Sequence, residues 1–281
     1  MNDFTDKVVV ITGAASGIGK ALAIAFAKQG AQLALNDVNE EALGNLSAVL
    51  TTQGVSVFSM AFSVAESKAV HKFSAQVINH YGKVDLVINN AGVALDAISI
   101  EELEYTDLEW IMGINFYGVV YGTQAFLPYL KRREEAAIVN VSSVYGIIGP
   151  GLQAPYSSSK FAVRGFTECL RMELMVNAPH VRAICVHPGG IKTEIANSSR
   201  IPQNSPIKEA KRTAMRKEFN EKSLVLAPEK AAEIIIRGIR KKKHRILVGR
   251  DALFLDRLVR FFPSGYTRRI LKLANIEQYW E

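Results

Sequence analysis

Val8-Val9-Val10-Ile11-Thr12-Gly13-Ala14-Ala15-Ser16-Gly17-Ile18-Gly19 is the most informative segment of this chain of 281 residues. An apolar β-branched run enters a glycine-rich turn, and Ala14–Gln29 then has the composition of a helix. Glycines permit a tight turn and let the backbone approach a pyrophosphate, which the free N–H groups at the helix N-terminus would bind. The alternative is a plain tight connection between a strand and a helix. The predicted phosphate contacts are Gly13, Ser16, Gly17, Ile18 and Gly19.

The rest of the chain repeats this alternation of strand and helix. Short apolar runs indicate strands buried on both faces, and the helical segments between them imply right-handed βαβ units. We therefore predict one α/β domain over residues 1–281, a three-layer Rossmann-type fold with a doubly wound parallel sheet of about seven strands and helices on both faces. The predicted strands are Val8–Ile11, Gln32–Asn36, Val55–Ala61, Val84–Asn89, Ala137–Val141, Val181–Val186 and Arg245–Val248.

Asp37 lies just past the second predicted strand, at the spacing expected for a carboxylate that binds the adenosine ribose hydroxyls. It would repel the 2′-phosphate of NADP, and Asn36 and Val38 beside it supply no cation. NAD is therefore favoured over NADP as the cofactor. A solvated turn residue or a helix N-cap would explain Asp37 alone, but not its coincidence with the glycine-rich turn.

Tyr156 and Lys160 are four residues apart, so their side chains share one face if this segment is a helix. A free tyrosine has a pKa of about 10, and lowering that pKa by about three units requires roughly 4 kcal/mol. One ammonium group at about 4 Å supplies that much at an effective dielectric constant near 20. The pair fits a working acid/base, although a Tyr and a Lys at this spacing are usually ordinary helix neighbours.

Composition indicates a globular protein in a reducing compartment. Hydrophobic residues make up 48% of the chain, which is enough for a large core. Cys169 and Cys185 lack metal-ligand spacing, so we expect neither a disulfide framework nor a metal. Asp3 and Asp6 occupy the place of the basic region of a signal peptide, and we expect a cytoplasmic protein. Much of the net charge of +7 comes from Arg237–Arg245, which could attract anionic lipid, nucleic acid or an acidic partner. The absence of aromatic residues among these basic ones favours a solvated helix end.

Two long segments depart from the simple alternation. Trp110–Leu130 carries no charge, but its polar residues, proline and glycines favour a helix buried in protein over a membrane span. Glu194–Glu221 is polar and contains two prolines. We expect an irregular segment there, either a substrate-binding loop or lid over about residues 194–222 or a disordered stretch.

Asp251–Phe262, in a C-terminal extension of about residues 250–281, has the pattern of an amphipathic helix. Its predicted apolar face consists of Phe254, Leu255, Leu258, Phe261 and Phe262, with Asp256, Arg257 and Arg260 opposite. We expect the apolar face to pack on the body of the protein or on another subunit. Peripheral contact with a membrane is the less favoured alternative.

Taken together, these motifs resemble the short-chain dehydrogenase/reductase family, in its single-domain branch. The matching segments occur in the family's order over roughly two thirds of the chain. They are Thr12–Gly19, Asn89–Gly92, Asn115, Val141–Ser143, Tyr156–Lys160, Pro188–Gly190 and Thr193.

The resemblance implies an enzyme that moves a hydride between a nicotinamide ring and an alcohol or carbonyl substrate. Tyr156 would exchange the proton as general acid/base, and Ser143 would stabilise the substrate oxygen. Lys160 would lower the pKa of Tyr156 and bind the nicotinamide ribose, while Asn115 would hold a water of a proton relay. Ser142 is the rival of Ser143, but its spacing to Tyr156 is off by one residue.

The resemblance also implies cofactor contacts from the ends of several strands. The turn from Pro188 to Thr193 would hold the nicotinamide carboxamide. The family often has an acid at the end of the third strand, and here Ser63 and Val64 stand in that region. The Ser63 hydroxyl could still hydrogen-bond the adenine amine. The remaining contacts implied in this way are Asn89, Ala91, Gly92, Gly189 and Ile191.

The substrate side is apolar, which favours a hydrophobic secondary alcohol or ketone, such as a steroid, lipid-derived or cyclic alcohol. The predicted substrate contacts are Val93, Leu95, Val144, Tyr145 and Leu152. The alternatives are an NADP-dependent carbonyl reductase and a catalytically silent NAD-binding sensor or scaffold. The family commonly forms homotetramers or homodimers through two helices, here Leu108–Leu130 and Tyr156–Asn177.

Overall fold

The computed structural model of the protein describes residues 1–274, so residues 275–281 of the predicted C-terminal extension lie outside it. The strands of the sheet are β1 (Val8–Thr12), β2 (Gln32–Asp37), β3 (Val57–Ala61), β4 (Leu86–Asn89), β5 (Ala136–Val141), β6 (Val181–Pro188) and β7 (Arg245–Val248). The α-helices are α1 (Gly17–Ala27), α2 (Glu40–Thr52), α3 (Ser67–Tyr81), α4 (Tyr105–Met112), α5 (Gly118–Leu130), α6 (Ala154–Asn177), α7 (Glu209–Ser223), α8 (Pro228–Arg240), α9 (Arg250–Phe261) and α10 (Tyr266–Ala274).

All seven strands form one parallel sheet in the order β3-β2-β1-β4-β5-β6-β7. The winding reverses between β1 and β4, which pair with Ile11 opposite Ile88. In such sheets the crevice for a ligand opens at the carboxyl ends of the strands, beside this reversal. The predicted doubly wound Rossmann-type fold is confirmed, with strand boundaries shifted by at most two residues.

The core fills both faces of the sheet because the side chains of a strand alternate between them. Val9 and Ile11 of β1 pack in the cluster that includes residues of α1, α2 and α8. Val8 and Val10 pack in the cluster that includes residues of α3, α5 and α6. Strands buried in this way need apolar residues at every position, and all five residues of β1 are buried.

The segment Trp110–Leu130 is helical, as expected, but it is not one regular helix. It comprises the end of α4, a π-helical turn over Gly113–Tyr117, and α5. Within residues 1–274, no helix combines the length and apolar character needed to cross a membrane.

Two expectations about the later part of the chain are corrected by the structure. Glu194–Glu221 is irregular only in its first part, because α7 begins at Glu209. Asp251–Phe262 is helical, but the face that it buries is different from the predicted one. Asp256 is buried, whereas Phe254 and Phe261 are 58% and 76% exposed. The charge on Asp256 is tolerated inside because two arginines pair with it, and the sequence pattern does not show that pairing.

Candidate active site

The predicted site residues come together because they follow the carboxyl ends of neighbouring strands. The glycine-rich turn follows β1, Asn90–Gly92 follow β4, Ser143 follows β5, and Pro188 ends β6. Tyr156 and Lys160 come from the first turns of α6, which packs beside β6. One edge of the sheet therefore carries every predicted catalytic and nicotinamide-side residue except Asn115, which reaches it from the π-helical turn.

The glycine-rich turn has the backbone that the pyrophosphate site requires. Gly13 and Gly17 have φ values of +64° and +49°, a region that residues with a side chain rarely adopt. A Cβ on Gly19 would overlap the carbonyl oxygen of Gly13. Asn90 completes the turn, since its Nδ2 donates to the carbonyl oxygens of Thr12 and Gly13 at 2.9 and 3.1 Å. Asn90 was not among the predicted cofactor contacts, although it lies inside the matching Asn89–Gly92 segment.

Asp37 lies at the end of β2, directly beside the glycine-rich turn. Its carboxylate accepts hydrogen bonds from the backbone N–H groups of Ala15, at 2.9 Å, and Asn39, at 3.0 Å. Each oxygen keeps a lone pair for a further donor such as a ribose hydroxyl. The glycine cradle and this carboxylate together fit the adenosine half of a dinucleotide.

Ser63 and Val64 follow β3 and continue this side of the crevice. The Ser63 hydroxyl accepts from the N–H of Ala65 at 3.3 Å, so its own proton is free to point elsewhere. Val64 is buried, and a Cβ on Gly118 of α5 would lie only 2.7 Å from its methyl carbon. Glycine at position 118 therefore lets α5 approach the loop that was predicted to contact the adenine.

Tyr156 and Lys160 share one face of α6, as the spacing predicted. The Lys160 Nζ lies 5.6 Å from the centroid of the Tyr156 ring and donates to the carbonyl oxygen of Val141 at 3.2 Å. Burial lowers the pKa of Lys160 to about 8. The buried ammonium group therefore loses its proton slightly above neutral pH, well below the range of an ordinary lysine.

The pKa of Tyr156 departs from the sequence-based expectation. Burial raises this pKa, a hydrogen bond with Ser143 lowers it in part, the neighbouring Tyr145 raises it slightly, and the resulting pKa is about 12. We expected Lys160 to lower this pKa, but in the structure its charge does not offset burial. The reason is geometric, because the Lys160 Nζ is directed to the Val141 carbonyl rather than paired with the phenol.

Asn115 is oriented by the π-helical turn, a rare distortion that often occurs at functional sites. Its side chain is fully buried and exchanges two hydrogen bonds with the backbone of Val93, at 2.8 and 3.0 Å. It also donates to the Ser159 hydroxyl at 3.0 Å. A Cβ on Gly92 would lie 3.2 Å from the Lys160 Nζ and 3.3 Å from the Asn115 Oδ1, so both atoms border the same small space.

The two serines after β5 have different roles in the structure. Ser142 is buried, and its hydroxyl donates to the carbonyl oxygen of Lys160 at 2.8 Å, which fastens α6 to the sheet. Ser143 instead directs its hydroxyl towards Tyr156 and accepts from the Tyr145 N–H at 3.1 Å. The geometry therefore favours Ser143 over Ser142, as the spacing predicted.

His187 on β6 contacts the backbone of Ser143 and was not predicted as a site residue. Its Nδ1 lies 3.0 Å from the Ser143 carbonyl oxygen, which can only accept, so Nδ1 carries a proton. Its buried Nε2 has no hydrogen-bond partner among residues 1–274. Burial lowers the pKa of His187 to about 4, so the ring is neutral at physiological pH.

The Pro188–Thr193 turn is held by two later parts of the chain. The Gly190 N–H donates to the Asp251 carboxylate of α9 at 2.6 Å, and a Cβ on Gly189 would overlap that carboxylate. Ile191 forms a bridge with Leu226, next to the end of α7. Thr193 returns to the glycine-rich turn, where its methyl group would lie 3.0 Å from a Cβ on Gly17. Asp251 lies far outside the matching motifs, which is why sequence reasoning missed it.

Asn89 and Ala91 are two residues apart at the end of β4, and they contact different neighbouring elements. The Asn89 Nδ2 donates to Asn140 on β5 at 2.8 Å, and Asn140 donates to Thr167 on α6 at 3.0 Å. This buried ladder ties β4 to β5 and to α6. The Ala91 N–H donates to the Thr12 hydroxyl at 3.1 Å, which ties the segment after β4 to the glycine-rich turn.

Three of the predicted substrate contacts lie beside Tyr156. Val93 and Leu95 pack with it in one apolar cluster. Tyr145 meets it edge-on, with ring centroids 5.9 Å apart. Leu152 has a φ of +64°, a strained backbone conformation for a leucine and one that occurs mainly at functional sites. Val144, in the short turn after Ser143, is buried.

The neutral state of His187 predicts a distinctive acid sensitivity. Because its pKa is about 4 in the folded protein and 6.5 ordinarily, the unfolded chain binds more protons between these values. The free energy of unfolding should therefore fall by about 3 kcal/mol as the pH drops from 7 to 4. Urea denaturation between pH 7 and 4 should show this fall in the free energy of unfolding in the wild type but not in His187→Asn. The asparagine side chain keeps an N–H donor for the carbonyl oxygen of Ser143. Replacing the exposed His71 with asparagine is the control, and parallel curves for wild type and His187→Asn would contradict the assignment.

Known proteins match this architecture over nearly the whole chain. The family model described as short chain dehydrogenase matches residues 7–204. The putative oxidoreductase SadH of Mycobacterium tuberculosis is 41% identical over 271 residues, which cover 96% of each chain. A short-chain dehydrogenase/reductase from Burkholderia phymatum, solved in complex with NAD, has a TM-score of 0.84 at 30% identity and covers 93% of this chain and 95% of its own. An alcohol dehydrogenase from the archaeon Thermococcus sibiricus, complexed with 5-hydroxy-NADP, has a TM-score of 0.72 at 29% identity and covers 86% and 95%. The protein is therefore an NAD(P)-dependent oxidoreductase of the short-chain dehydrogenase/reductase family.

Proposed function

We propose that this enzyme interconverts a secondary alcohol and a ketone, with Tyr156 as its general acid/base. The observation that carries the proposal is the convergence of Ser143, Tyr156 and Lys160 at the sheet edge that also holds the glycine-rich turn. A bound nicotinamide cofactor supplies the hydride donor or acceptor, and the protein supplies orientation and a proton.

The residues suggest how the proton moves. The Ser143 hydroxyl would hydrogen-bond the substrate oxygen and stabilise the charge that develops there. Tyr156, with its pKa raised to about 12, is protonated at neutral pH and is ready to donate to a ketone oxygen. In the oxidation direction the phenol must act as a base, and nearby positive charge, including the Lys160 ammonium, favours the phenolate.

Lys160 and Asn115 offer a route for returning the proton. The pKa of Lys160 is about 8, so the group exchanges protons close to working pH. Because Nζ and the Asn115 Oδ1 border one small space beside Gly92, a water there would contact both. This arrangement supports the relay role implied for Asn115.

Residues 194–222 suit the role of a cover over the substrate. Arg212 and Arg216 of α7 pair with Asp96, at 3.2 and 2.8 Å, and Asp96 follows the predicted substrate contacts Val93 and Leu95. The Asp96 side chain is only 8% exposed, so its two ion pairs are well shielded from solvent. Together with the apolar cluster at Tyr156, this cover favours a hydrophobic substrate.

The proposal includes a homodimer or homotetramer. The two helices implied by the family carry exposed apolar side chains, which a partner subunit would bury. They are Tyr117 beside α5, and Phe161, Met172, Met175 and Val176 on α6.

Replacing the phenol tests the catalytic assignment. With the best substrate found by screening secondary alcohols and ketones for a change in NADH absorbance, Tyr156→Phe should lower kcat by about 100-fold or more. NADH affinity, measured by fluorescence titration, should stay within about threefold, because the variant removes the proton donor and keeps the ring. Tyr105→Phe, at a position 82% exposed on α4, is the control. Normal turnover by Tyr156→Phe would contradict the assignment of Tyr156 as the general acid/base.

Asp37 supports NAD as the preferred cofactor, because a 2′-phosphate would approach its carboxylate. The wild type should show a kcat/KM for NAD at least about tenfold above that for NADP. Asp37→Asn removes the charge but keeps an acceptor for Ala15, and should reduce this preference by about tenfold. Glu41→Gln removes an exposed charge from the first turn of α2 and should leave the ratio unchanged. Equal use of both cofactors by the wild type would contradict the preference.

A further inference from the structure

The outer face of α9 combines aromatic and basic side chains in a way that the enzyme's chemistry does not require. Leu253, Phe254 and Phe261 lie on this face and are 44%, 58% and 76% exposed. Arg250 and Arg257 occupy the same face at helical spacing and are also exposed. Single exposed apolar residues are normal on a protein surface, whereas a row of them on one helix indicates a binding surface.

The helix is held with this face outwards by specific contacts on its inner side. Asp256 pairs with Arg245 of β7 at 2.6 Å and with Arg260 at 3.0 Å. Asp251, at the first turn, accepts from the N–H of Gly190 at 2.6 Å. Rotating α9 to bury Phe254 and Phe261 would break both anchors. The outward orientation is therefore built into the fold.

The surface continues beyond α9 and is strongly basic. Phe262 and Leu271 are 45% and 47% exposed, and the Arg269 guanidinium stacks over the Phe262 ring at 4.0 Å. Residues 250–271 contain two acidic residues, and both are engaged on the inner side as described above. They also contain five arginines; Arg260 pairs with Asp256, and the other four are Arg250, Arg257, Arg268 and Arg269. We call these four arginines, with the exposed apolar residues between them, the basic-aromatic surface.

We propose that the basic-aromatic surface docks the enzyme on an anionic lipid bilayer. Exposed phenylalanines among arginines match a membrane interface, where rings enter the acyl boundary and arginines pair with anionic headgroups. A second copy of this chain fits less well, because a two-fold contact would place arginines against arginines. A polyanion without an apolar layer would leave the phenylalanines exposed.

The position of this surface links it to the substrate side. Leu258 of α9 and Ile270 of α10 pack with Ile147 and Ile148, and Tyr145 joins the same cluster. Docking through α9 would therefore bring the segment after Ser143 close to the bilayer. This last step rests on the proposed function, since a lipid-soluble alcohol or ketone would then enter from the membrane side.

Vesicle flotation of the full-length enzyme tests the proposal without any substrate. The wild type should float with vesicles of phosphatidylcholine and phosphatidylglycerol in equal parts at low salt, and less in about 0.5 M salt. The double variant Phe254→Ser/Phe261→Ser should reduce binding by about tenfold or more. Arg257→Gln/Arg268→Gln should reduce binding to these vesicles while its circular dichroism and thermal unfolding match the wild type.

A matched control separates the proposed surface from general positive charge. Lys68 and Lys72 are exposed on α3, which packs against β3 at the far end of the strand order from β7. Lys68→Gln/Lys72→Gln should float as well as the wild type. The proposal is overturned if the wild type does not float, if this control loses binding as much as Phe254→Ser/Phe261→Ser, or if the phenylalanine variant floats normally.

Two further outcomes keep this proposal distinct from the proposed function. If Phe254→Ser/Phe261→Ser abolishes self-association in sedimentation but wild type fails to bind vesicles, the surface is an interface between copies and the membrane proposal is wrong. Tyr156→Phe should float normally, so a failed catalytic assignment would leave the vesicle result standing.

Discussion

In a doubly wound parallel sheet the carboxyl ends of all strands lie along one edge, and the chain reverses its winding once along that edge. Here the reversal lies between β1 and β4, so the glycine-rich turn and the Asn90–Gly92 segment face each other across it. Asn90 joins the two by donating to the carbonyl oxygens of Thr12 and Gly13. The positions of the other site residues follow from this arrangement, because each comes from the end of a neighbouring strand or from a helix that packs beside it.

Burial of polar groups is the second constraint on the site. Tyr156, Lys160 and His187 all have their pKa values displaced by burial, each towards its neutral form. At neutral pH only the shift of the Lys160 pKa weakens the folded state, because Tyr156 and His187 are largely neutral there in the unfolded chain as well. Residues with strongly displaced pKa values are often functional. The protein limits the cost by hydrogen bonds to backbone atoms, as Lys160 makes with Val141 and His187 makes with Ser143.

Local sequence signals predicted the features that depend on local geometry. The glycine-rich turn, the strands and the shared helical face of Tyr156 and Lys160 all follow from spacing along the chain. The choice of Ser143 over Ser142 came from the resemblance to the family, and the structure agrees with it because the Ser142 hydroxyl donates to the carbonyl oxygen of Lys160.

Features that depend on residues distant in the chain could not be predicted from local sequence patterns. The helical pattern predicted that Asp256 faces solvent. It is buried because β7 brings its partner Arg245 to it, and local sequence does not show that pairing. His187 reads as one more position in a buried strand, and its contact with the Ser143 backbone exists only once β5 and β6 pair. The π-helical turn at Asn115 has no signature in the local pattern of apolar residues. Spacing also does not reveal that the Lys160 Nζ is directed to the Val141 carbonyl oxygen.

We propose that the nicotinamide ring of the cofactor binds against Ser143, Tyr156 and Lys160, and a crystal structure of the enzyme with NAD bound would show whether it does. We expect the ring beside Tyr156, with a position for a substrate oxygen about 2.6–3.2 Å from both the Ser143 and the Tyr156 hydroxyls. A ring bound elsewhere, or a phenol that points away from it into solvent, would overturn the assignment of these three residues.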